Sequence, residues 1–282
     1  LEVTFSKVES INFWGIIFTE DQGAVPSDYP GDLPGWDLVW FDEFDRPLDL
    51  AMWDVLDYAA NTNGELPLWD VANCYTEDSH LVIVSKAEQK GGRRFTSGKL
   101  LSKAPYHMHY GRLEVRMKAE WARGAWPSAW LMPVGSERDQ GNGQYGQWPK
   151  SGEIDVIELI SNDGFGQAHT TIHYYAASNN WWGGGGHAMN GHHTAGSYND
   201  VWVTYVIEWD AWGIKWFIEG ELAHEAKHDK PFDKPFFLML QTAISGGGWV
   251  ERAREEDYPI RTYFDFVRVY KRSDGKDIAT AD

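Results

Sequence analysis

Apolar and polar residues alternate with a period of two in several runs along the chain. The clearest runs are rich in β-branched and aromatic residues and cover residues 81–88, 112–120, 201–209, 214–222 and 262–272. This alternation is typical of strands with one buried face. No comparably clear segment combines a helical period with helix caps. The pattern therefore predicts an all-β fold, a two-sheet β-sandwich of the jelly-roll or Greek-key kind.

The length of the chain predicts one main domain. The length of 282 residues lies within the range of a single β-sandwich. We expect residues 1–35 to form an amino-terminal extension that could add a strand, and residues 36–282 to form a single jelly-roll domain. Two Gly-rich segments, residues 135–151 and 176–200, are predicted to be long loops on either side of an acidic strand. Long loops on a compact domain are often functional, so we interpret both as cleft walls.

Charge, the length of apolar runs and cysteine content argue against nucleic-acid binding, membrane insertion and internal disulfides. The net charge is −17, from 42 acidic and 25 basic residues, whereas a nucleic-acid-binding protein needs a positive face. No apolar run approaches the roughly 20 residues that span a bilayer, so we expect no membrane insertion. The single cysteine, Cys74, rules out an internal disulfide and is interpreted as a buried thiol. The basic run KGGRR at 90–94 is predicted to be a solvated hairpin loop.

Aromatic residues are the informative excess. The chain has 16 Trp, 13 Tyr and 13 Phe, and many of them lie in Gly-rich stretches rather than in apolar runs. Some must belong to the core, because aromatic side chains bury large areas. A flat ring with polar neighbours also suits stacking on the C–H face of a sugar. Together with the excess of carboxylates, this composition favours a carbohydrate site.

The stretch GEIDVIEL, residues 152–159, contains three acids at positions i, i+2 and i+5. In a regular strand Glu153 and Asp155 share a face, whereas Glu158 points to the other face. A β-bulge at Val156-Ile157 would let two residues occupy one step and return Glu158 to the face of its partners. The spacing therefore predicts a bulged strand with all three carboxylates on one face.

Such a strand suits acid–base chemistry on a glycosidic bond. At roughly 3.3 Å per residue, the two outer glutamate backbones lie about 13 Å apart, and inward-leaning carboxyls approach to about 5–6 Å. That separation matches a retaining glycosidase. Repulsion among three carboxylates raises at least one pKa, which supplies the acid. A calcium site and a solvated acidic edge strand are the alternatives; the apolar neighbours disfavour an edge, and the missing turn glycine disfavours calcium.

The same stretch resembles the E-x-D-x-x-E signature of glycoside hydrolase family 16, in the form found in laminarinase-like endo-β-1,3-glucanases. Similar blocks follow the order of that family over about residues 36–272, at residues 36–49, 95–102, 110–120, 124–133, 170–175, 205–220, 235–249 and 263–271. The resemblance implies a β-jelly roll with a long concave substrate cleft, in which residues 36–282 are the catalytic domain. It also implies a retaining double displacement.

The resemblance assigns roles to individual residues. Glu153 would be the nucleophile, Glu158 the general acid and base, and Asp155 the assisting carboxylate. The residues that match sugar-binding positions are Glu114, Arg116, Trp126, Trp130, Trp148, His173, Gln241 and Trp249. For Glu114 and Arg116, a structural ion pair is the alternative. Asp265 matches a position that holds a structural calcium in the family, with Glu43 expected near it; no cofactor is expected for catalysis.

The expected activity is endo-hydrolysis of a laminarin-like β-1,3-glucan, with mixed-linkage β-1,3/1,4-glucan as a further substrate. The alternatives are an agarase-like or carrageenase-like galactan hydrolase, a transglycosylase of the same fold, and a non-catalytic glucan-binding protein. The net charge of −17 disfavours a sulfated polymer unless a local basic groove compensates. The chain begins at Leu1 without an initiator methionine. We expect a secreted monomer whose signal peptide is absent from this sequence.

Overall fold

The computed structural model describes residues 33–60, 64–137, 142–176, 186–228 and 231–276. Regular structure in these residues is almost entirely strand, with three short 3-10 helices at Val71–Asn73, Ser161–Asp163 and Glu255–Asp257. The strands are β1 Trp36–Asp42, β2 Trp53–Val55, β3 Pro67–Trp69, β4 Cys74–Glu77, β5 His80–Lys90, β6 Arg93–Ser97, β7 Lys99–Ser102, β8 Gly111–Ala119, β9 Ala125–Pro133, β10 Asn142–Gly143, β11 Gly146–Gln147, β12 Glu153–Leu159, β13 Gln167–Tyr175, β14 His187–Ala195, β15 Val203–Trp209, β16 Gly213–Ile218, β17 Glu221–Lys227, β18 Phe236–Ile244 and β19 Ile260–Arg272.

Two large sheets form the described part of the chain. The front sheet has the order β14-β13-β12-β9-β18-β7-β2, and the back sheet has the order β17-β16-β15-β8-β19-β5-β6-β3, with β1 paired to β19 and β4 to β5. Every pairing in them is antiparallel except that between β3 and β6. The predicted all-β, two-sheet sandwich is confirmed.

The main core lies between the two sheets. Alternate residues of β8 in the back sheet, Leu113, Val115 and Met117, belong to the same buried cluster as Ile154 and Ile157 of β12 in the front sheet. Burial of alternate side chains is the physical basis of the period-two pattern in the sequence. The other face of β12 is therefore left for polar residues.

A second, smaller cluster covers part of the outer surface of the front sheet. Leu56, Ala60 and Trp69 pack there against residues of β7 and β18, including Phe237 and Met239. These two strands are consequently buried on both faces, and the whole of β18 is buried. The outer face over β9, β12 and β13, which we call the front face, holds the acidic residues.

Most of the predicted strands are confirmed, with two differences. The predicted run 214–222 crosses a turn at Glu219-Gly220 and is divided between β16 and β17. The predicted loop 176–200 contains β14, which pairs along its whole length with β13. β14 consists mainly of polar residues and glycine, which its position at the edge of the sheet tolerates. Its alternation of apolar and polar residues is therefore too weak to predict a strand.

Other sequence expectations have clear outcomes. The KGGRR run forms the turn between β5 and β6, as predicted. Cys74 is buried and unpaired, and burial raises the pKa of its thiol. The division into an extension of residues 1–35 and a domain from residue 36 stays a prediction: β1 begins at Trp36, and the strand expected in the extension lies outside the described residues. No helix in the described ranges is long and apolar enough to cross a membrane.

Candidate active site

The acidic strand β12 is irregular at the predicted point. Its pairing with β13 shifts register between Asp155 and Glu158, and its pairing with β9 shifts between Asp155 and Ile157. Val156 and Ile157 are both buried in the main core. Against β13, the three acids lie opposite alternate residues, at positions 173, 171 and 169. The bulge therefore places all three carboxylates on the front face, which confirms the prediction.

A hydrogen bond across the core supports the bulge. Trp216 of β16, in the back sheet, donates its indole N–H to the backbone carbonyl of Asp155 over 2.8 Å. A bulge disturbs the ladder of backbone hydrogen bonds beside it. A buried carbonyl without a partner destabilises the fold. Trp216 supplies a donor at this step, so the back sheet helps to hold the central acid in place.

The residue before β12 is a glycine that no other residue could replace without strain. Gly152 has a φ of +86°, and a Cβ there would lie 2.9 Å from side-chain atoms of both Phe232 and Pro231. A positive φ is unfavourable for residues with a Cβ. Gly152 thus lets the chain turn tightly into β12, immediately before Glu153.

Glu158 has the environment of a general acid. Its side chain is buried, and Trp126 donates its indole N–H to Oε1 over 2.9 Å. Burial, followed by the negative charge of Asp155, raises the pKa of Glu158 well above the usual value. The charge of His173 and the hydrogen bond from Trp126 act in the opposite direction but are outweighed. Burial thus favours the protonated form of Glu158, the form that a general acid needs.

The pKa of Glu153 is raised by the same causes. Burial and the charge of Asp155 raise its pKa to about 7. The charge of His173 and a hydrogen bond from Trp148 oppose that rise; the Trp148 indole N–H donates to Oε2 over 2.5 Å. At each glutamate, the charge of His173 and a tryptophan hydrogen bond therefore oppose the rise in pKa that burial and Asp155 cause.

His173 is the cation of the site. Its Nε2 lies 3.3 Å from Oδ2 of Asp155. Burial alone would lower its pKa, but the charge of Glu153 and the interactions with Asp155 outweigh burial and raise the pKa to about 9. The protonated ring balances part of the negative charge of the three carboxylates.

His187 is a residue of this site that the sequence did not reveal. Its Nε2 lies 2.9 Å from Nδ1 of His173, and the two rings stack with centroids 5.1 Å apart. Burial and the charge of His173 lower the pKa of His187. A neutral His187 therefore accepts a hydrogen bond from protonated His173 and orients its ring. The glycine run before His187 gave this part of β14 the pattern of a loop.

The predicted aromatic residues lie on the front face. Trp126 and Trp130 alternate with buried residues along β9, and Trp148 and Trp249 are 43% and 52% exposed. The ring of Trp249 meets that of Trp126 edge to face, with centroids 5.3 Å apart. Exposed tryptophans beside carboxylates suit a sugar chain. Gln241 of β18 lies level with Glu158 across β9, since Ser128 pairs with both.

Glu114 and Arg116 do not lie near the acids, and their predicted role in binding sugar hydroxyls there is wrong. Both are on β8 of the back sheet, where Val115 and its alternate neighbours face the core, so the pair points away from the front sheet. Arg112 contacts Glu114 over 2.7 Å, and Arg116 pairs with Asp265. Each residue is in a structural ion pair with a different partner.

The residues proposed for structural calcium do not fit a calcium site. Asp265 contacts Arg116, and Glu43 accepts two hydrogen bonds from Arg268 at 2.6 and 2.7 Å. A calcium site needs several oxygen ligands that are free of such cations. Among the described residues, the ligand atoms that converge within 4.8 Å belong to Glu153, Asp155 and His173. The positive charge of His173 already balances part of the negative charge of these carboxylates.

Comparisons with known proteins agree with this geometry. The family model described as glycosyl hydrolases family 16 matches residues 64–264. A β-glucanase of Rhodothermus marinus is 30% identical over 267 residues, which cover 87% of this chain and 88% of that protein. The α subunit of clotting factor G of Tachypleus tridentatus is 30% identical over 250 residues, which cover 84% of this chain and 34% of that subunit. The chain thus spans about a third of one relative and most of the other.

Solved structures show the same fold. The laminarinase of Rhodothermus marinus superimposes with a TM-score of 0.73 at 29% identity, over 84% of this chain and 98% of that one. A structure from work on endo-acting O-glycanases of the human gut microbiota, which initiate mucin breakdown, gives a TM-score of 0.75 at 26% identity, over 88% and 95% of the two chains. The matching family model, the relatives and the bulged acidic strand together show that the chain belongs to glycosyl hydrolase family 16.

Proposed function

We propose that the protein is a retaining endo-hydrolase of β-1,3-glucan that also accepts mixed-linkage β-1,3/1,4-glucan. The observation that carries this proposal is the pair of glutamates on one face of the bulged strand, with Asp155 between them. Burial and the charge of Asp155 raise the pKa of both carboxyls, to about 7 for Glu153, so this site can hold the proton that the reaction needs. The β-glucanase and laminarinase of Rhodothermus marinus, which this chain resembles, support the choice of substrate.

The first step uses the two glutamates in complementary states. Glu158 donates its proton to the glycosidic oxygen while the Glu153 carboxylate attacks the anomeric carbon. This leaves a covalent glycosyl ester on Glu153 and releases the other part of the chain with a new hydroxyl at its non-reducing end. Asp155 lies between them, and its interaction with His173 holds a positive charge close to Glu153. This charge opposes the rise in the pKa of Glu153 that burial and Asp155 cause, and so favours the ionised nucleophile.

The second step reverses the proton transfer. Glu158, now ionised, removes a proton from a water molecule, which attacks the anomeric carbon and releases Glu153. The hydrogen bond from Trp126 favours the ionised form of Glu158 and so assists this half of the cycle. Two displacements at one carbon return it to its original configuration.

Product analysis tests the proposal. Laminarin, lichenan, agarose and carrageenan are digested in parallel, and the first products are followed by NMR for anomeric configuration and by chromatography for size. We expect β-configured oligosaccharides of several lengths from laminarin, fewer from lichenan, and none from the galactans. Products of inverted configuration would exclude the double displacement, and cleavage of agarose in preference to laminarin would exclude the glucan assignment.

Substitution of Glu153 tests the assignment of the nucleophile. Glu153→Ser should lower the rate on laminarin by at least about a thousandfold, because it removes the nucleophile. Asp163→Asn, which removes a carboxylate from the turn after β12, should retain the wild-type rate and serves as a charge control. Wild-type activity of Glu153→Ser would contradict the assignment of the nucleophile.

A further inference from the structure

A cavity of about 430 Å³ lies where the β5–β6 hairpin meets residues 252–256. Its walls carry the side chains of Arg93, Arg94, Arg252 and Arg254, and we call it the arginine pocket. The buried ring of Phe95 contributes an apolar surface and packs edge to face on Tyr258 at a centroid distance of 5.2 Å. Its volume is within the range of small-ligand sites.

The pocket carries positive charge that nearby carboxylates do not fully balance. Arg94 pairs with Glu255 over 2.5 Å, and Arg254 lies 4.0 Å from Glu256. Arg93 donates to the backbone carbonyl of Ala60, which carries no charge. Within the described ranges, Arg252 makes no hydrogen bond or ion pair. Among the described residues, the guanidinium groups of Arg93 and Arg252 thus have no carboxylate partner, in a chain whose net charge is −17.

One loop connects the arginine pocket to the front face. The backbone N–H of Ala253 donates to the carbonyl of Ser245 over 2.9 Å and closes the loop between them. Trp249, within this loop, contacts Trp126 on the front face. Arg252, three residues later, lines the pocket. The same short loop therefore contributes to both surfaces.

We infer that the arginine pocket binds an oxyanion group, a sulfate ester or a uronate carboxylate, on a polysaccharide whose neighbouring sugars lie on the front face. The inference rests on the proposed function only in taking the ligand to be a polysaccharide. Guanidinium groups match such oxyanions with paired hydrogen bonds. The net negative charge does not prevent binding, because charges more than about 8 Å away are screened at physiological salt.

Calorimetry on four proteins tests the inference, all carrying Glu153→Gln so that no ligand is consumed. They are the parent, Arg252→Gln, the pair Arg93→Gln with Arg252→Gln, and the pair Arg46→Gln with Arg272→Gln. The last pair removes the same charge from exposed sites elsewhere. The ligands are laminarin oligosaccharides in neutral, sulfated and C6-oxidised form, and inorganic sulfate alone.

We expect the parent to bind one of the anionic oligosaccharides about tenfold more tightly than the neutral one. The Arg93 and Arg252 pair should abolish that preference, Arg252→Gln should reduce it, and the Arg46 and Arg272 pair should keep it. Thermal unfolding confirms that each variant is folded. The preferred form identifies the anion, and inorganic sulfate should compete weakly, because it lacks the sugar contacts.

Equal binding of neutral and anionic oligosaccharides by the parent would overturn the inference, as would equal losses in the two double variants. Hydrolysis of neutral laminarin is measured separately with Glu153 restored. If the protein fails to cleave laminarin but still prefers an anionic oligosaccharide, the proposed function fails while the arginine pocket stands.

Discussion

The hydrogen bond from Trp216 to the backbone of Asp155 allows a direct test of how the bulge is supported. Trp216→Phe removes the indole N–H donor and part of the ring. Trp209→Phe is a matched control, because Trp209 is buried to the same extent, with 1% exposure, in the same core. The indole N–H of Trp209 has no partner in the described ranges. The two variants therefore lose similar packing, but one of them also loses a hydrogen bond.

The expected magnitudes follow from these contacts. Loss of buried ring volume should cost each variant about 1–3 kcal/mol of unfolding free energy. Trp216→Phe should lose about 1–2 kcal/mol more of unfolding free energy, because a buried carbonyl loses its hydrogen-bond donor. For a domain of this size the additional loss corresponds to a melting temperature about 2–8 °C lower. Urea unfolding and thermal melting of both variants measure the difference.

The same pair of variants should differ in activity. Asp155 lies between the two glutamates, and a shift of about 1 Å in a positioned group can cost a hundredfold in rate. We expect kcat on laminarin to fall at least about tenfold further in Trp216→Phe than in Trp209→Phe. If both variants have equal unfolding free energies and equal kcat values, the bond from Trp216 does not support the bulge, and the reasoning is refuted.

Three further predictions concern individual charged groups and their partners. The pKa of His173 is raised from 6.5 to about 9, so the wild type should lose stability relative to His173→Gln as pH rises from 6.5 to 9; urea unfolding below, within and above this range measures it, and a constant difference would contradict it. Trp148→Phe should lower kcat/KM about tenfold through loss of the bond to Glu153, while its stability should change by less than about 0.5 kcal/mol, because Trp148 is largely exposed. Addition of calcium or of a chelator should leave the melting temperature unchanged, because Asp265 and Glu43 are paired with arginines; a clear shift would show that calcium displaces them.

Much of the fold and of the catalytic strand could be predicted from local pattern. Period-two alternation directly reflects one buried face, so runs such as β8 and β19 are visible in the sequence. The bulge was predictable for the same reason, since Glu158 can join Glu153 only if one step holds two residues. The face that a strand residue occupies depends only on its position along the strand, so it can be predicted from a single sequence.

Contacts between distant segments were not predictable in this way. The side chains of Glu114 and Arg116 share a face, as expected, but the spacing does not tell which side of which sheet that face belongs to. Trp216 reaches Asp155 from 61 residues away, and no local pattern distinguishes it from Trp209. The arginine pocket combines two short basic segments about 160 residues apart in the sequence, each of which alone has the composition of a solvated loop.

The bulge in β12 has a consequence for how such enzymes can change by insertion or deletion. Removing Ile157 would leave Glu153, Asp155 and Glu158 at i, i+2 and i+4, which is a regular strand with all three acids still on one face. The bulged and regular spacings therefore differ by a single codon, and all three acids stay on the same face of the strand in both. The deletion would instead remove one buried apolar side chain from the core, two residues after the carbonyl that Trp216 binds. Variation in the length of this strand is thus limited by the back sheet rather than by the chemistry.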